Sequence, residues 1–216
     1  MRNFPIRRTD TEKTQVGDYY DGVGRYYDQI HEISVVKLFS GDCYVTADRG
    51  EMLVTILGSC IAACVRDPVA GVGGMNHFLL PGDTAGGKVL DESTRYGAFA
   101  MEQLINSIMK LGGKKERLEV KIFGGGNVIQ NTSMIGDKNI AFVRQFLKDE
   151  GLKAVSEDVG GTFPRRVHYY PDTGKVMVRK LTRKNDMIVV DKEREYQQSL
   201  RESDTKKAGA KNVELF

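Results

Sequence analysis

Between residues 33 and 80 the chain is cut into apolar runs too short to be helices. ISVVKLF, CYVTA, MLVTIL, IAACVRD and GVGGMNHFLL follow one another, separated by Ser40-Gly41-Asp42, Asp48-Arg49-Gly50, a small Gly58-Ser59-Cys60 break and a turn from Pro68 to Gly71. Short β-branched and apolar runs bounded by such turn chemistry are strands. This series commits the first part of the domain to sheet, and the last two runs are expected to pair as an antiparallel hairpin.

The period changes after PGDTAGG. Ala100, Leu104, Ile105, Ile108 and Met109 recur at helical spacing between about Thr94 and Leu111, with Ser93 at the N-cap position and Gly112-Gly113 as the stop. LEVKIFGG is a further strand, and Ile140, Val143, Phe146 and Leu147 mark a second amphipathic helix over about Asp137 to Asp149, ended by Gly151. LKAVSEDVGG and the hairpin RRVHYYPDTGKVMVRKL complete the pattern, the latter with a Pro-Asp-Thr-Gly turn. Many strands with two helices predict an α+β fold: layered sheets, sandwich-like, flanked by two main helices.

Both ends differ in texture. Residues 1–32 are polar and carry Tyr-Tyr-Asp twice around Gly22 and Gly24, and they read as an N-terminal extension that packs against the sheet or meets a partner. Residues 33–181 form the expected folded domain, and residues 182–216 a charged tail with an exposed helix near DKEREYQQSLRE and a linker. The terminal Val213 to Phe216 is apolar and is expected to dock on a partner or on the domain itself, a solvated end being the alternative.

Composition excludes several classes. A net charge of +3, from 32 basic and 29 acidic side chains, is too balanced for a dedicated nucleic-acid binder. Three irregularly spaced cysteines do not make a disulfide framework and fit a reduced, cytoplasmic setting. MRNFPIRRTDTEKTQ has no apolar core of a secretory signal, and Met52 to Val65 is too short and too interrupted for membrane insertion. Histidines at 31, 77 and 168, without Cys-x-x-Cys or His-x-x-x-His, argue against a metal site. A monomer is expected.

Several motifs have an ordinary structural reading. FGGGNV at residues 123–128 lacks the Lys-Ser or Lys-Thr of a phosphate loop and reads as a tight turn walling a pocket. The Asp-Thr-Gly of PDTGK lies at a hairpin tip, without the second carboxylate an aspartic protease requires. Arg165, Arg166, Lys175, Arg179, Lys180, Arg183 and Lys184 give that hairpin a basic face, either solvated or turned to an acidic partner. Cys60 and Cys64 would share one face of a strand, an arrangement that does not favour a disulfide between them.

The segment GSCIAACVRDPVAGVGGMNHFLLPG is the best candidate for chemistry. Gly58-Ser59-Cys60 ends an apolar strand in a small turn able to expose a thiol and backbone N–H groups, and His77 lies on the next hairpin arm. A Cys–His pair can act as nucleophile and base. Two buried core residues on neighbouring strands would give the same pattern, and spacing alone leaves both readings open.

TILGSCIAACVRDPVAGVGGMNHFLLP, STRYGAFAMEQLIN, KIFGGGNV, IGDKN and EDVGGTFPRRVHYYPDTGKVMVRKL, in that order, resemble the CheD family of bacterial chemoreceptor glutamine deamidases from about Ile33 to Leu181. The resemblance implies Cys60 as nucleophile, His77 as acid–base and Thr55, on the preceding strand, as the group that orients His77. It further implies oxyanion donors at the backbone of Ser59 and Cys60, a thioester intermediate and no cofactor or metal. The implied substrates are the cytoplasmic helices of chemoreceptors, and a CheC-like phosphatase is an implied partner. A reading of a different class, an adaptor that acts by occupancy, needs neither Cys60 nor His77.

Overall fold

The computed structural model describes residues 24–29, 31–80, 89–128 and 135–182. The first Tyr-Tyr-Asp copy, the expected C-terminal helix, Arg183, Lys184 and Val213 to Phe216 lie outside them. The elements are β1 (Gly24–Asp28), β2 (Ile33–Lys37), β3 (Cys43–Thr46), β4 (Glu51–Leu57), β5 (Ile61–Asp67), β6 (Val72–Asn76), α1 (Val89–Lys110), β7 (Glu119–Gly124), α2 (Ile135–Asp149), β8 (Ala154–Val159), β9 (Arg165–Tyr170) and β10 (Lys175–Lys180). The α+β expectation holds, with two five-stranded sheets ordered β1-β2-β4-β9-β10 and β3-β6-β5-β7-β8.

Two buried clusters define three layers. Leu53, Leu57, Val167 and Tyr169 of the first sheet meet Ala62, Cys64, Met75 and Phe123 of the second. On its other face the second sheet, through Ile61, Ala63, Val65, Val120 and Ile122, packs on Leu104, Ile105 and Ile108 of α1 and Ile140, Val143, Phe146 and Leu147 of α2. β5 is therefore covered on both faces, which is why IAACV reads as an unbroken apolar run and not as an alternation. Each fully buried Leu, Ile or Val side chain in these layers contributes about 1.5–3 kcal/mol.

β5 and β6 pair antiparallel as expected, with Val65 opposite Gly74 and Cys64 opposite Met75. Asp67 shapes their turn by accepting the Val69 and Ala70 N–H groups. Beyond Asn76 the ladder resumes in a single bridge, Ile61 to Phe78. Between the two, the Asn76 amide oxygen accepts the Ala63 N–H at 2.9 Å, and its nitrogen donates to Ala100 O of α1 at 2.9 Å.

Three local expectations are corrected. α1 begins at Val89, so Ser93 falls inside the helix and not at its N-cap position. Met109 is 42% exposed while Met101 is fully buried, so the apolar stripe runs through Met101, Leu104, Ile105 and Ile108. Arg165 is not part of a basic face: alternation along β9 turns Arg165, Val167 and Tyr169 inward, and Arg165 is 2% exposed. Lys175, Arg179 and Lys180 on β10 are exposed. The second Tyr-Tyr-Asp copy contributes Tyr26 and Tyr27 to β1, which pairs with β2 at the sheet edge. Among the described residues, no helix is long and apolar enough to cross a membrane.

Candidate active site

β4 belongs to one sheet and β5 to the other, and the chain crosses between them in three residues, Gly58, Ser59 and Cys60. All three carbonyls of this crossing are anchored. Gly126 N–H donates to Gly58 O at 2.7 Å, Asn139 Nδ2 to Ser59 O at 2.9 Å, and Gly125 N–H to Cys60 O at 2.7 Å. These bonds hold the backbone on either side of Cys60, whose thiol lies in the inter-sheet core and is not exposed by the turn as the sequence suggested.

The glycine run at the end of β7, Gly124 to Gly126, makes this contact possible. Gly124 has φ +112°, and a Cβ there would lie 2.0 Å from Cys60 O; Gly125 has φ +65°, and a Cβ there would strike Ile140. Only glycine tolerates both the left-handed backbone and the close approach. The expectation of a tight turn at FGGGNV is met, and the turn backs Cys60.

His77 follows β6 and is 5% exposed. Its backbone is tied to the loop at residues 38–42: Gly41 N–H donates to His77 O at 2.7 Å, and His77 N–H to Asp42 O at 2.9 Å. Its ring meets Thr55 of β4, with Nδ1 2.7 Å from the Thr55 hydroxyl oxygen. That hydroxyl donates to Leu38 O at 2.8 Å.

These contacts fix the tautomer. A carbonyl only accepts, so the single Thr55 hydroxyl hydrogen is committed to Leu38 O, and Nδ1–H must be the donor to Thr55 Oγ1. Nε2 then carries the lone pair of a base, and it is buried without a hydrogen-bond partner. Burial pulls the His77 pKa down to about 4, partly opposed by the Leu38 carbonyl, so the ring is neutral at physiological pH.

Sequence reasoning named Cys60, His77 and Thr55. The structure places them at the sheet crossing, behind β6 and on β4, with Thr55 and His77 hydrogen-bonded and Cys60 in the same inter-sheet layer as Leu38. Ser59 is partly exposed, and Cys60 is 2% exposed. None of the three thiols is in a disulfide. Burial pushes the Cys43 thiol up to about 12 and also raises Cys64, so both stay protonated and inert.

Three supporting residues were not read from sequence as part of the site. Asn139 is fully buried and also accepts Leu80 N–H at 2.9 Å; a polar residue inside the Ile140–Val143–Phe146 stripe was its only signal. Arg165 donates to the carbonyls of Gly124, Asp158 and Gly160 and pairs with the Asp158 carboxylate at 3.1 Å. Ser40 places its hydroxyl 3.8 Å from Cys60 Sγ.

Comparison with known proteins adds the family. The model of the family described as CheD chemotactic sensory transduction matches residues 79–180. A Hahella chejuensis protein named probable chemoreceptor glutamine deamidase CheD is 48% identical over 200 residues, 92% of each chain. The chain belongs to the CheD family. A Rhodopseudomonas palustris CheD of the same printed name is 50% identical over 186 residues, 85% of this chain and 86% of that one. The family-model match starts two residues after His77, whereas the Hahella CheD alignment takes in nearly the whole chain. Among solved structures, a Bacillus licheniformis hypothetical protein, YfiH, aligns with TM-score 0.36 at 16% identity over 63% of this chain and 62% of that one.

Proposed function

We propose that this CheD-family protein hydrolyses glutamine side chains of chemoreceptors to glutamate, with Cys60 as nucleophile, His77 as acid–base and Thr55 as the group that orients His77. The observation that carries this is the buried His77 Nε2, left as a bare base by the Thr55–Leu38 relay. Thr55 takes the place of the carboxylate in a Ser-His-Asp triad, with a hydroxyl that orients without adding charge.

The reaction is a double displacement. His77 Nε2 takes the Cys60 proton, and Sγ adds to the carboxamide carbon as the C=O π pair moves onto oxygen. Backbone N–H groups at Ser59 and Cys60 hold that oxyanion. On collapse the C–N bond breaks, the nitrogen takes the proton from Nε2, and ammonia leaves a thioester. Water, deprotonated by the same Nε2, adds to the thioester, and the C–S bond breaks to release glutamate and the thiol. One neutral side chain on the receptor becomes an anion, which changes charge pairing along a helix surface.

The test is a comparison of the protein and its Cys60→Ala variant on a purified receptor cytoplasmic fragment. The wild type should add ~1 Da per glutamine converted, the amide-to-acid difference, and the variant nothing. Equal behaviour would sink the catalytic reading and leave occupancy as the mode of action.

A further inference from the structure

We infer that Ser40 is a further catalytic residue, whose hydroxyl donates to Cys60 Sγ as the thiol loses its proton to His77. The inference rests on the deamidase reading for its consequence on turnover, but not for its test. Ser40 Oγ lies 3.8 Å from Cys60 Sγ, at the long end of a hydrogen bond to sulfur. Such contacts tighten when charge develops on the acceptor, and a thiolate is a stronger acceptor than a thiol.

The position is built into the same loop that sets up the histidine. Leu38 O receives the Thr55 hydroxyl, Gly41 N–H and Asp42 O grip the His77 backbone, and the Asp42 carboxylate accepts Phe39 N–H at 2.7 Å. Gly41 takes φ +97°, which turns the chain tightly after Ser40. One short loop therefore fixes the His77 tautomer, its backbone and the hydroxyl beside the thiol. Ser40 is partly exposed, unlike Thr55 and His77, so Ser40→Ala removes a hydroxyl at the margin of the core and not a core side chain.

The chemistry balances without a further reagent. The Sγ proton passes to Nε2, Ser40 keeps its own proton, and its O–H dipole compensates the charge left on sulfur until the S–C bond forms. A hydrogen bond to a charged acceptor is expected to shift the pH midpoint of thiolate formation by about one unit, a ~10-fold change in thiolate at a given pH below it.

The test is the pH profile of iodoacetamide alkylation, with the label assigned to Cys60 by peptide mapping, in wild type, Ser40→Ala and Ser40→Thr. Ser40→Ala should raise the midpoint by about one unit, and Ser40→Thr, which keeps the hydroxyl, should restore it. On a receptor fragment Ser40→Ala should lower kcat ~10-fold with KM little changed. A midpoint that stays in place in Ser40→Ala overturns the inference, whatever the turnover. A wild type that alkylates as expected but does not deamidate overturns the proposed function instead, and leaves the role of Ser40 at the thiol standing.

Discussion

A His77→Gln protein is expected to lose deamidase turnover by about 10²–10⁴-fold, the usual worth of a positioned acid–base group. Glutamine keeps a donor toward Thr55 but offers no atom that can take the Cys60 proton and return it to nitrogen. The same variant carries a second signature, in stability. The folded-state pKa of His77 is about 4, below the 6.5 of an exposed imidazole, so between these values the unfolded chain binds the proton and the folded chain does not. Stability therefore falls as pH drops from about 6.5 toward 4, by about 3 kcal/mol from this one group. His77→Gln lacks that loss, and urea unfolding at pH 7 and pH 4.5 should show a shallower acid decline than in the wild type. Parallel declines would mean that the ring is hydrated and not buried as described.

Replacing Arg165 with methionine is expected to destabilise the fold by about 3–5 kcal/mol. The methionine stem fills similar volume, so little of this comes from packing. It comes from the carbonyls of Gly124, Asp158 and Gly160, which lose their shared donor, and from the Asp158 carboxylate, which loses its partner. The effect reaches the site through two steps, because Gly124 precedes the glycine that holds Cys60 O. Activity should fall with stability even though Arg165 touches no reacting atom. A urea midpoint that places Arg165→Met within ~1 kcal/mol of wild type would show that the guanidinium is dispensable there.

The strands between residues 33 and 80 were legible because each is short, apolar and bounded by turn chemistry, and both helices were legible from their stripes, whereas the exposed β1 was read as part of a polar extension. What misled was the direction of single side chains. Arg165 reads as surface charge beside Arg166, Lys175 and Arg179, and only the pairing of β9 with β4, Leu57 opposite Arg165, turns it inward. Ser93 has the chemistry of an N-cap but sits inside α1, since helix-compatible residues precede it.

At the site, the sequence pointed to Cys60 and His77, but not to the contacts that hold each of them. Strand pairing puts Ala62, and not Cys60, in register with His77, as the flanking partners Ile61–Phe78 and Cys64–Met75 require. The order instead comes from a sheet crossing and from a loop at residues 38–42, neither of which has a sequence period. Asn139, 80 residues from the Ser59 carbonyl it holds, is beyond any local pattern.

The central claim is that Cys60 forms a thioester with the substrate glutamine, and trapping that species tests it most directly. A reaction with a receptor peptide, quenched in acid and weighed intact, should show the protein plus peptide less ~17 Da, the ammonia released on acylation. Digestion should place the adduct on Cys60. An adduct on Cys43 or Cys64, or glutamate formed at the wild-type rate by Cys60→Ala, would contradict the account.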